Sequence, residues 1–195
     1  MESLEIAKKI QEKYPDEVVS ISETRGQVSV ILTKDRIVEI LRWLHDDPTF
    51  QFNHLADLCG VDYLGKKEVR FEVVYNLYSI PLRHSIRIRA QVPEDDCSIE
   101  SVTCIWMGAN WHERECYDLF GIEFMNHPDL RRILLPEGWE GHPLRKDYPL
   151  DGGGKNWSGY DEVVEKAKKL SQYDFYGIYQ DPTKKTGLED AREQD

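Results

Sequence analysis

The sequence predicts an α+β fold, a two-layer domain with helices on one face of a mostly antiparallel or mixed sheet, followed by a long extended C-terminal arm. Paired runs of alternating apolar residues are typical of hairpins. Helical patterns lie between these runs without a repeating βαβ order. After residue 122, prolines and glycines break the periodicity. We therefore expect an α+β domain at 1–122, an extended arm at 123–150, and a Gly-rich link, short helix and polar tail at 151–195.

A helix and a hairpin are predicted at the start of the domain. Ser3 can cap the helix, and Pro15 lies just past its end. The apolar residues of this helix share one side: Ile6, Ala7 and Ile10. Two alternating runs follow, and the Gly-containing segment 23–26 between them has the composition of a hairpin turn.

A second helix is expected between this hairpin and the next strands. Thr33 can cap it, and Pro48 stops it. Its apolar stripe has the i, i+3, i+4, i+7 spacing: Ile37, Ile40, Leu41 and Leu44. Residues 50–62 favour a strand, although 55–58 could also form a helical turn.

A second, longer hairpin is predicted from alternating runs at 69–77 and 82–92, with a turn at 79–81. The polar side of its second run carries three arginines: Arg83, Arg87 and Arg89. These arginines could meet an acidic partner. Cross-strand pairing with Glu68 and Glu72, or simple solvation, is the favoured interpretation.

The last helix of the domain is predicted to begin near Asn110. Before it, Ser98 can cap a short helix. Asn110 and Glu113 have the spacing of a capping box, in which each side chain bonds the other residue's backbone. Gly121 lies where a residue with left-handed backbone would end the helix.

Three acids within six positions raise the possibility of paired-carboxylate catalysis. On a helix, Glu113 points about 160° away from Glu115, so these two cannot serve one substrate. Asp118 can pair with Arg114, one turn earlier. Capping and ion pairing account for all of these acids, and no catalytic residue is predicted.

A metal site is conceivable at His112 and Cys116, which lie one helical turn apart, with His127 and His142 downstream. No closely spaced pair of ligands supports it, and each downstream histidine precedes a proline. The pattern favours a cysteine packed in the core and hydrogen-bonded histidines. The four cysteines also lack the clustering that iron–sulfur ligation needs, and no phosphate-binding loop is present.

The overall composition limits the class of protein. The chain is 40% hydrophobic and 31% charged, as in soluble globular proteins. Its net charge of −11 argues against nucleic-acid binding, which needs a basic face. No apolar run approaches the length of a membrane span, and the acidic N-terminus lacks a secretory pattern.

The arm combines basic and apolar residues without regular spacing, so it cannot form a core of its own. Its basic residues are Arg131, Arg132, Arg145 and Lys146. Among them lie Trp139, Leu144 and Tyr148. Arginine and aromatic side chains dominate protein interfaces, which predicts a partner-binding segment. A solvated loop is the alternative.

Residues 106–150 also resemble a known family. The resemblance is carried by Glu113-Arg114-Glu115, Asp118-Leu119-Phe120-Gly121-Ile122, and the blocks at 127–134 and 141–149. These closely resemble the signature of the 30 kDa subunit of respiratory complex I, known in bacteria as the C subunit of NADH-quinone oxidoreductase. The expected signature and interface residues are Glu113, Arg114, Glu115, Asp118, Gly121, His127, Arg131, Arg132, Trp139, His142, Arg145, Lys146 and Asp147.

This resemblance implies a non-catalytic, cofactor-free peripheral subunit of a proton-translocating NADH:quinone oxidoreductase, on the cytoplasmic face of the bacterial membrane. The subunit would scaffold the 49 kDa quinone-site subunit and the iron–sulfur subunits. FMN, iron–sulfur clusters and quinone would be bound by those partners. Equivalent subunits of related membrane-bound hydrogenases or ferredoxin- or F420H2-dependent complexes share the signature. A stand-alone interaction module or enzyme also remains open.

Overall fold

A computed structural model describes residues 1–150 and 160–170 of the chain. These fall into two compact units, one within Met1–Gly154 and one within Lys155–Asp195. The elements of the first unit, in chain order, are α1 (Ser3–Lys13), β1 (Val18–Thr24), β2 (Gln27–Leu32), α2 (Ile37–Asp46), β3 (His54–Asp62), β4 (Phe71–Ser79), β5 (His84–Val92), β6 (Ser98–Glu100), α3 (Ala109–Phe120) and β7 (Glu123–Met125).

The second unit contains α4 (Tyr160–Leu170), where the sequence predicts a short charged helix. The expected Gly-rich link and polar tail, at 151–159 and 171–195, lie outside the described residues. The arm at 123–150 lies within the first unit. Among the described residues, no helix combines the length and apolar character that crossing a membrane requires.

The main sheet is mixed, as predicted, with the strand order β1-β2-β5-β4-β3. The two predicted hairpins form antiparallel pairs, β1 with β2 and β4 with β5. The hairpins join through a parallel pairing of β2 with β5, and β3 adds antiparallel to β4. The favoured strand interpretation of the ambiguous segment is therefore confirmed over His54–Asp62.

The helices bury their apolar sides against the sheet, which confirms the two-layer α+β architecture. The predicted stripe residues of α1 and α2 are all buried: Ile6, Ala7, Ile10, Ile37, Ile40, Leu41 and Leu44. Helix α3 packs on β3. This packing is close, because a Cβ added at Gly60 would lie only 2.8 Å from the ring of Phe120. A glycine at this point of β3 therefore sets how near α3 lies to the sheet.

The two predicted N-caps of the first helices are wrong. Helix α1 follows Glu2, and the Ser3 hydroxyl donates instead to the Ser85 carbonyl oxygen at 2.8 Å. Helix α2 begins at Ile37, and the Thr33 hydroxyl donates to the Glu17 carboxylate at 2.5 Å. Both hydroxyls find partners elsewhere in the fold, and neither helix has a side-chain cap.

The short helix predicted after Ser98 is also wrong. Residues Ser98–Glu100 form β6, which pairs parallel with β7 at Glu123–Met125. Ile99 is buried between two half-buried polar residues, so the segment follows the period of a strand rather than of a helix. The two short strands bring the chain before α3 next to the chain that follows it.

Candidate functional site: helix α3 and the arm

Helix α3 ends at Gly121, which has the predicted left-handed backbone with φ +71°. A Cβ at this position would lie 2.6 Å from the ring of His142 and 2.7 Å from the guanidinium of Arg145. Glycine satisfies both the backbone conformation and the close approach. The arm therefore passes directly over the C-terminal end of α3.

The arm supplies hydrogen-bond donors to the last carbonyls of α3, which have no N–H donor within the helix itself. The bonds run from His142 Nδ1 to the Asp118 carbonyl (2.9 Å), from the Leu144 N–H to the Leu119 carbonyl (3.0 Å) and from Arg145 Nε to the Phe120 carbonyl (2.6 Å). Burial lowers the pKa of His142, which keeps its ring neutral near pH 7 with the proton on Nδ1. This stretch of the arm thus acts as the cap of the helix.

The carboxylate of Asp118 binds the preceding part of the arm. Its side chain is fully buried, and Oδ2 accepts three successive backbone N–H groups, those of residues 133–135, at 2.8–3.0 Å. Oδ1 accepts from Arg132 Nη1 at 2.8 Å. Burial alone would raise the pKa of Asp118, but these donors hold it below its usual range. Asp118 therefore fixes the backbone of the arm rather than serving as a free acid.

The predicted ion pair between Arg114 and Asp118 is wrong. Arg114 donates instead to the carbonyl oxygens of Arg131 (3.0 Å) and Arg132 (3.2 Å), and it lies over the ring of Trp111. The arm outcompetes the one-turn pairing because it brings four donors to the carboxylate at once. Arg114 is left free to satisfy the arm's own carbonyls.

The predicted capping box at Asn110 and Glu113 is wrong as well. Helix α3 begins at Ala109 after Gly108, so Asn110 lies inside it, and no side chain caps the helix. Glu113 faces the interior, where it accepts from the Ser101 hydroxyl at 2.6 Å and the Val102 N–H at 2.7 Å. Burial raises the pKa of Glu113 to about 7, although both hydrogen bonds oppose the shift.

The ring of His127 lies beside this carboxylate. Its Nδ1 accepts from the Asp129 N–H at 3.0 Å, which requires the proton on Nε2. Nε2 lies 3.3 Å from the Asn110 carbonyl and 3.8 Å from the Glu113 carboxylate. Burial lowers the pKa of His127, and the ring therefore stays neutral near pH 7. In this way the first turn of the arm is fixed to the first turns of α3.

The histidines and the cysteine that could have formed a metal site have other environments. His127 and His142 bond to backbone groups, and Cys116 is buried in the core. His112 lies 3.8 Å from the Asp57 carboxylate. Within residues 1–150 and 160–170, no three or more His, Cys, Asp or Glu side chains are arranged to hold a metal ion.

The end of the arm joins a buried ion network that no sequence pattern predicts. Arg70 makes two hydrogen bonds to the buried carboxylate of Asp62 and donates to Asp147 at 2.7 Å and to Glu94. The backbone N–H of Lys146 also donates to Asp62, at 2.8 Å. The Arg70–Asp147 and Asp62–Lys146 contacts join residues 77 and 84 positions apart in the chain. No local spacing predicts such pairs.

Three of the remaining signature residues lie on the outside. The Arg131 guanidinium is exposed and bonds only to Asp129 among the described residues, while Glu115 and the Lys146 side chain face solvent. Trp139 is half-buried, and its indole nitrogen has no partner within residues 1–150 and 160–170.

Apolar side chains are exposed on α3 and the arm. Met107 is 89% exposed, Trp111 62% and Leu134 60%. Arg114 connects Trp111 to the arm, since it lies over the Trp111 ring and bonds the arm at 131–132. We call Met107, Trp111, Arg114, Arg131 and Leu134 the α3–arm surface. Large exposed apolar side chains with adjoining arginines are typical of a protein interface.

Comparison with protein families and solved structures bears on this site. The family model for the respiratory-chain NADH dehydrogenase 30 kDa subunit matches residues 30–153, which include α3 and the arm. The C subunit of NADH-quinone oxidoreductase from Geobacter sulfurreducens is 53% identical over 144 residues, which cover 74% of this chain and 88% of that protein. The corresponding protein of Hyphomonas neptunium is 40% identical over 187 residues, or 92% and 91% of the two chains.

Two solved structures share the fold. A trypsin-resistant fragment of Nqo5 is 35% identical and covers 67% of this chain and all of the fragment, with a TM-score of 0.58. A chain of an archaeal membrane-bound sulfane sulfur reductase covers 95% of this chain with a TM-score of 0.62, and at 23% identity it shows the fold alone. The chain therefore belongs to the 30 kDa subunit family of the respiratory-chain NADH dehydrogenase, whose bacterial members are C subunits of NADH-quinone oxidoreductase, as its signature predicted.

Proposed function

We propose that this chain is a scaffolding subunit of a proton-translocating NADH:quinone oxidoreductase and contributes no catalytic group or cofactor of its own. It would lie on the cytoplasmic face of the membrane, beside the 49 kDa quinone-site subunit and the iron–sulfur subunits. Those partners would bind FMN, the iron–sulfur clusters and the quinone. Family membership supports the assembly into such a complex, and the α3–arm surface supports the scaffolding role.

The observation that carries the proposal is the way the arm is held. Asp118 fixes the backbone at 133–135, so Leu134 projects outward from a segment that has little freedom left. A preordered segment loses less conformational entropy when it binds, which favours a stable contact. Leu134, Trp111 and Met107 are therefore suited to enter pockets on a partner subunit.

Leu134→Asp tests the role of this surface. The substitution changes an exposed side chain and leaves the backbone N–H that donates to Asp118, so the melting temperature of the isolated chain should stay unchanged. An unpaired carboxylate buried at an interface costs several kcal/mol, so incorporation into the complex should fall by about tenfold or more. Incorporation is measured by affinity purification of the tagged chain from membranes in mild detergent, with quantification of the co-purified subunits.

Val19→Asp is the matched control, because Val19 is 51% exposed on the edge strand β1 and lies outside the α3–arm surface. It should assemble like the unmodified chain. Equal incorporation of the Leu134 and Val19 variants would contradict the proposed role. Turnover of NADH by the purified chain alone would contradict the absence of a catalytic group.

A further inference from the structure

The long hairpin carries basic side chains that the α3–arm surface does not involve. Of the three arginines on β5 and its turn, Arg89 is neutralised, since it pairs with the buried Glu72 at 2.5 Å and donates to the Tyr63 hydroxyl. The favoured cross-strand pairing is thus observed for Glu72. Glu68 forms no ion pair within residues 1–150 and 160–170. Arg83 and Arg87 remain without a carboxylate partner among the same residues.

Arg87 is half-buried and held in place by a neutral neighbour. Its Nε donates to the Asn76 side-chain oxygen at 2.9 Å, and Asn76 in turn donates to Asp57. The two terminal nitrogens of Arg87 have no hydrogen-bond partner in the described part of the chain. The Arg87 guanidinium is therefore held by its Nε, and its two terminal nitrogens remain available as hydrogen-bond donors. This is the group that binds carboxylates in a bidentate manner.

Arg87 lines a cleft of about 410 Å³ at the end of the sheet. Its lining includes Arg87, His54, Asn76, Tyr78 and Ser85, and none of the described residues that line it is acidic. From 73 to 93 the sequence also contains no Asp or Glu, whereas the average composition of the chain would give about four. The cleft is thus a basic site on an acidic protein.

Apolar side chains continue from the cleft along the β4–β5 turn. Tyr78, Ile80 and Leu82 are exposed, and Arg83 follows them with a positive φ of 52°. We call Tyr78, Ile80, Leu82, Arg83 and Arg87 the hairpin-tip surface. Tyrosine, aliphatic and arginine side chains together are the composition of a protein interface rather than of a small-ion site.

The hairpin-tip surface is far from the point where Arg70 binds the end of the arm. The arm is attached at Arg70, directly before β4, whereas Tyr78 lies near the other end of that strand. At the rise of an extended strand these points are about 25 Å apart. The hairpin tip therefore lies at the end of β4 away from the ion network that holds the end of the arm.

We propose that the hairpin-tip surface binds an acidic segment of a second protein subunit, whose carboxylates pair with Arg87 and Arg83 while its apolar residues cover Ile80 and Leu82. The net charge of −11 on the chain opposes approach to an anionic membrane, which favours a local protein contact over a lipid headgroup. The proposal rests on the proposed function, since the partner is another subunit of the same complex. It gives the scaffold two contact surfaces rather than one.

Photo-crosslinking in the assembled complex tests this. A benzophenone amino acid replaces Ile80, which is 60% exposed, in the full-length tagged chain, and Val19 carries the same probe as control. Illumination should join Ile80 to a protein subunit through an acidic peptide, identified by mass spectrometry. The double substitution Arg83→Gln and Arg87→Gln should lower the adduct yield about fivefold or more, and the corresponding lysine variant should retain it because the charge is kept.

An adduct with phospholipid, no adduct at Ile80, or a yield that the glutamine variant leaves unchanged would overturn the proposal. So would an equal yield of the same adduct from Val19. These outcomes are distinct from failure of the proposed function, because the tagged chain is first shown to co-purify with the complex. A chain that assembles normally and gives no protein adduct at Ile80 leaves the scaffolding role intact and removes only the second surface.

Discussion

Glu113 illustrates how a single residue of the signature acquires its role from packing. Its position in the sequence favours a capping box, yet its carboxylate lies in the interior with the Ser101 hydroxyl and the Val102 N–H as donors. Two hydrogen bonds do not compensate for complete burial, so the pKa rises to about 7. Glu113 therefore makes the stability of the fold depend on pH in the neutral range.

The folded-state pKa of Glu113 lies above its unfolded value of 4.5, so the native state holds more protons between pH 4.5 and 7. The free energy of unfolding therefore falls as the pH rises from 4.5 through 7, by about 3 kcal/mol in all, because Glu113 must ionise while buried. Glu113→Gln removes this dependence. The difference in unfolding free energy between the two proteins should shift in favour of the variant by that amount from pH 4.5 to 8, measured by urea unfolding.

Other titrating groups cancel in this difference because both proteins carry them. Glu115→Gln serves as control, since it removes the same charge from an exposed position of the same helix. Parallel stability curves for the Glu113 variant and the unmodified chain would mean that the carboxylate is hydrated in solution.

At this scale the sequence did not predict what the side chains of the site contact. Asp118 and Arg114 have the spacing of a helical ion pair, but the donors to Asp118 lie 14 to 17 residues later in the chain. A rule for neighbours one turn apart cannot anticipate a segment that returns with four donors. The same limitation hid the contacts of Asp62 with Lys146 and of Arg70 with Asp147, which span 84 and 77 positions.

Helices and strands were predicted well wherever a periodic apolar stripe defines one buried side. Burial on one side of the sheet explains the apolar stripes of α1 and α2 and the alternation of β4 and β5. Such one-sided burial leaves a periodic pattern among neighbouring residues, which the sequence shows directly. Helix starts were predicted poorly, because Ser3 and Thr33 have competing partners in the tertiary structure. Gly121 was placed correctly, since a left-handed helix end strongly favours glycine.

Gly121→Ala should destabilise the protein through two effects. The left-handed backbone costs an alanine about 1–2 kcal/mol. The new methyl group would also overlap His142 and Arg145, which must move and give up bonds to α3. We expect a total loss of about 3 kcal/mol in the free energy of unfolding, with faster amide hydrogen exchange at Leu144.

Gly138→Ala isolates the first of these effects. Gly138 also has a positive φ, of 82°, but an added Cβ would meet nothing within 4 Å. Its variant should lose about 1–2 kcal/mol and keep the slow exchange at Leu144. If both variants lost the same stability, the close approach of the arm to α3 would not exist in solution.

At the largest scale, Arg70 joins distant parts of the first unit. This one guanidinium joins the end of β3 through Asp62, the turn after β5 through Glu94 and the arm through Asp147. The parallel pairing of β2 with β5 and the position of this network depend on how the hairpins assemble. Neither the β2–β5 pairing nor the Arg70 network produces a periodic pattern in the sequence. The sequence therefore predicted a mixed sheet but not these two features.

Arg70→Gln should cost about 3 kcal/mol or more, because it leaves the fully buried Asp62 carboxylate without its charged partner. The variant should also release the end of the arm, seen as faster proteolysis near Asp147. Arg36→Gln is the control, since Arg36 forms an exposed pair with Glu39 and its loss should change the melting temperature little. A stable Arg70 variant with an intact arm would show that Asp62 relies on its backbone donors alone.

The dependence of the arm on a finished α3 has a consequence for biogenesis. The carbonyls of Asp118, Leu119 and Phe120 point in one direction only when the last turn of the helix has formed. We therefore expect a newly made polypeptide to order residues 131–145 after α3, and Leu134 to take its fixed position only when its backbone N–H bonds Asp118. We expect assembly of the respiratory complex to exclude chains in which α3 is incomplete, since such a chain has no preordered arm to bind a partner subunit.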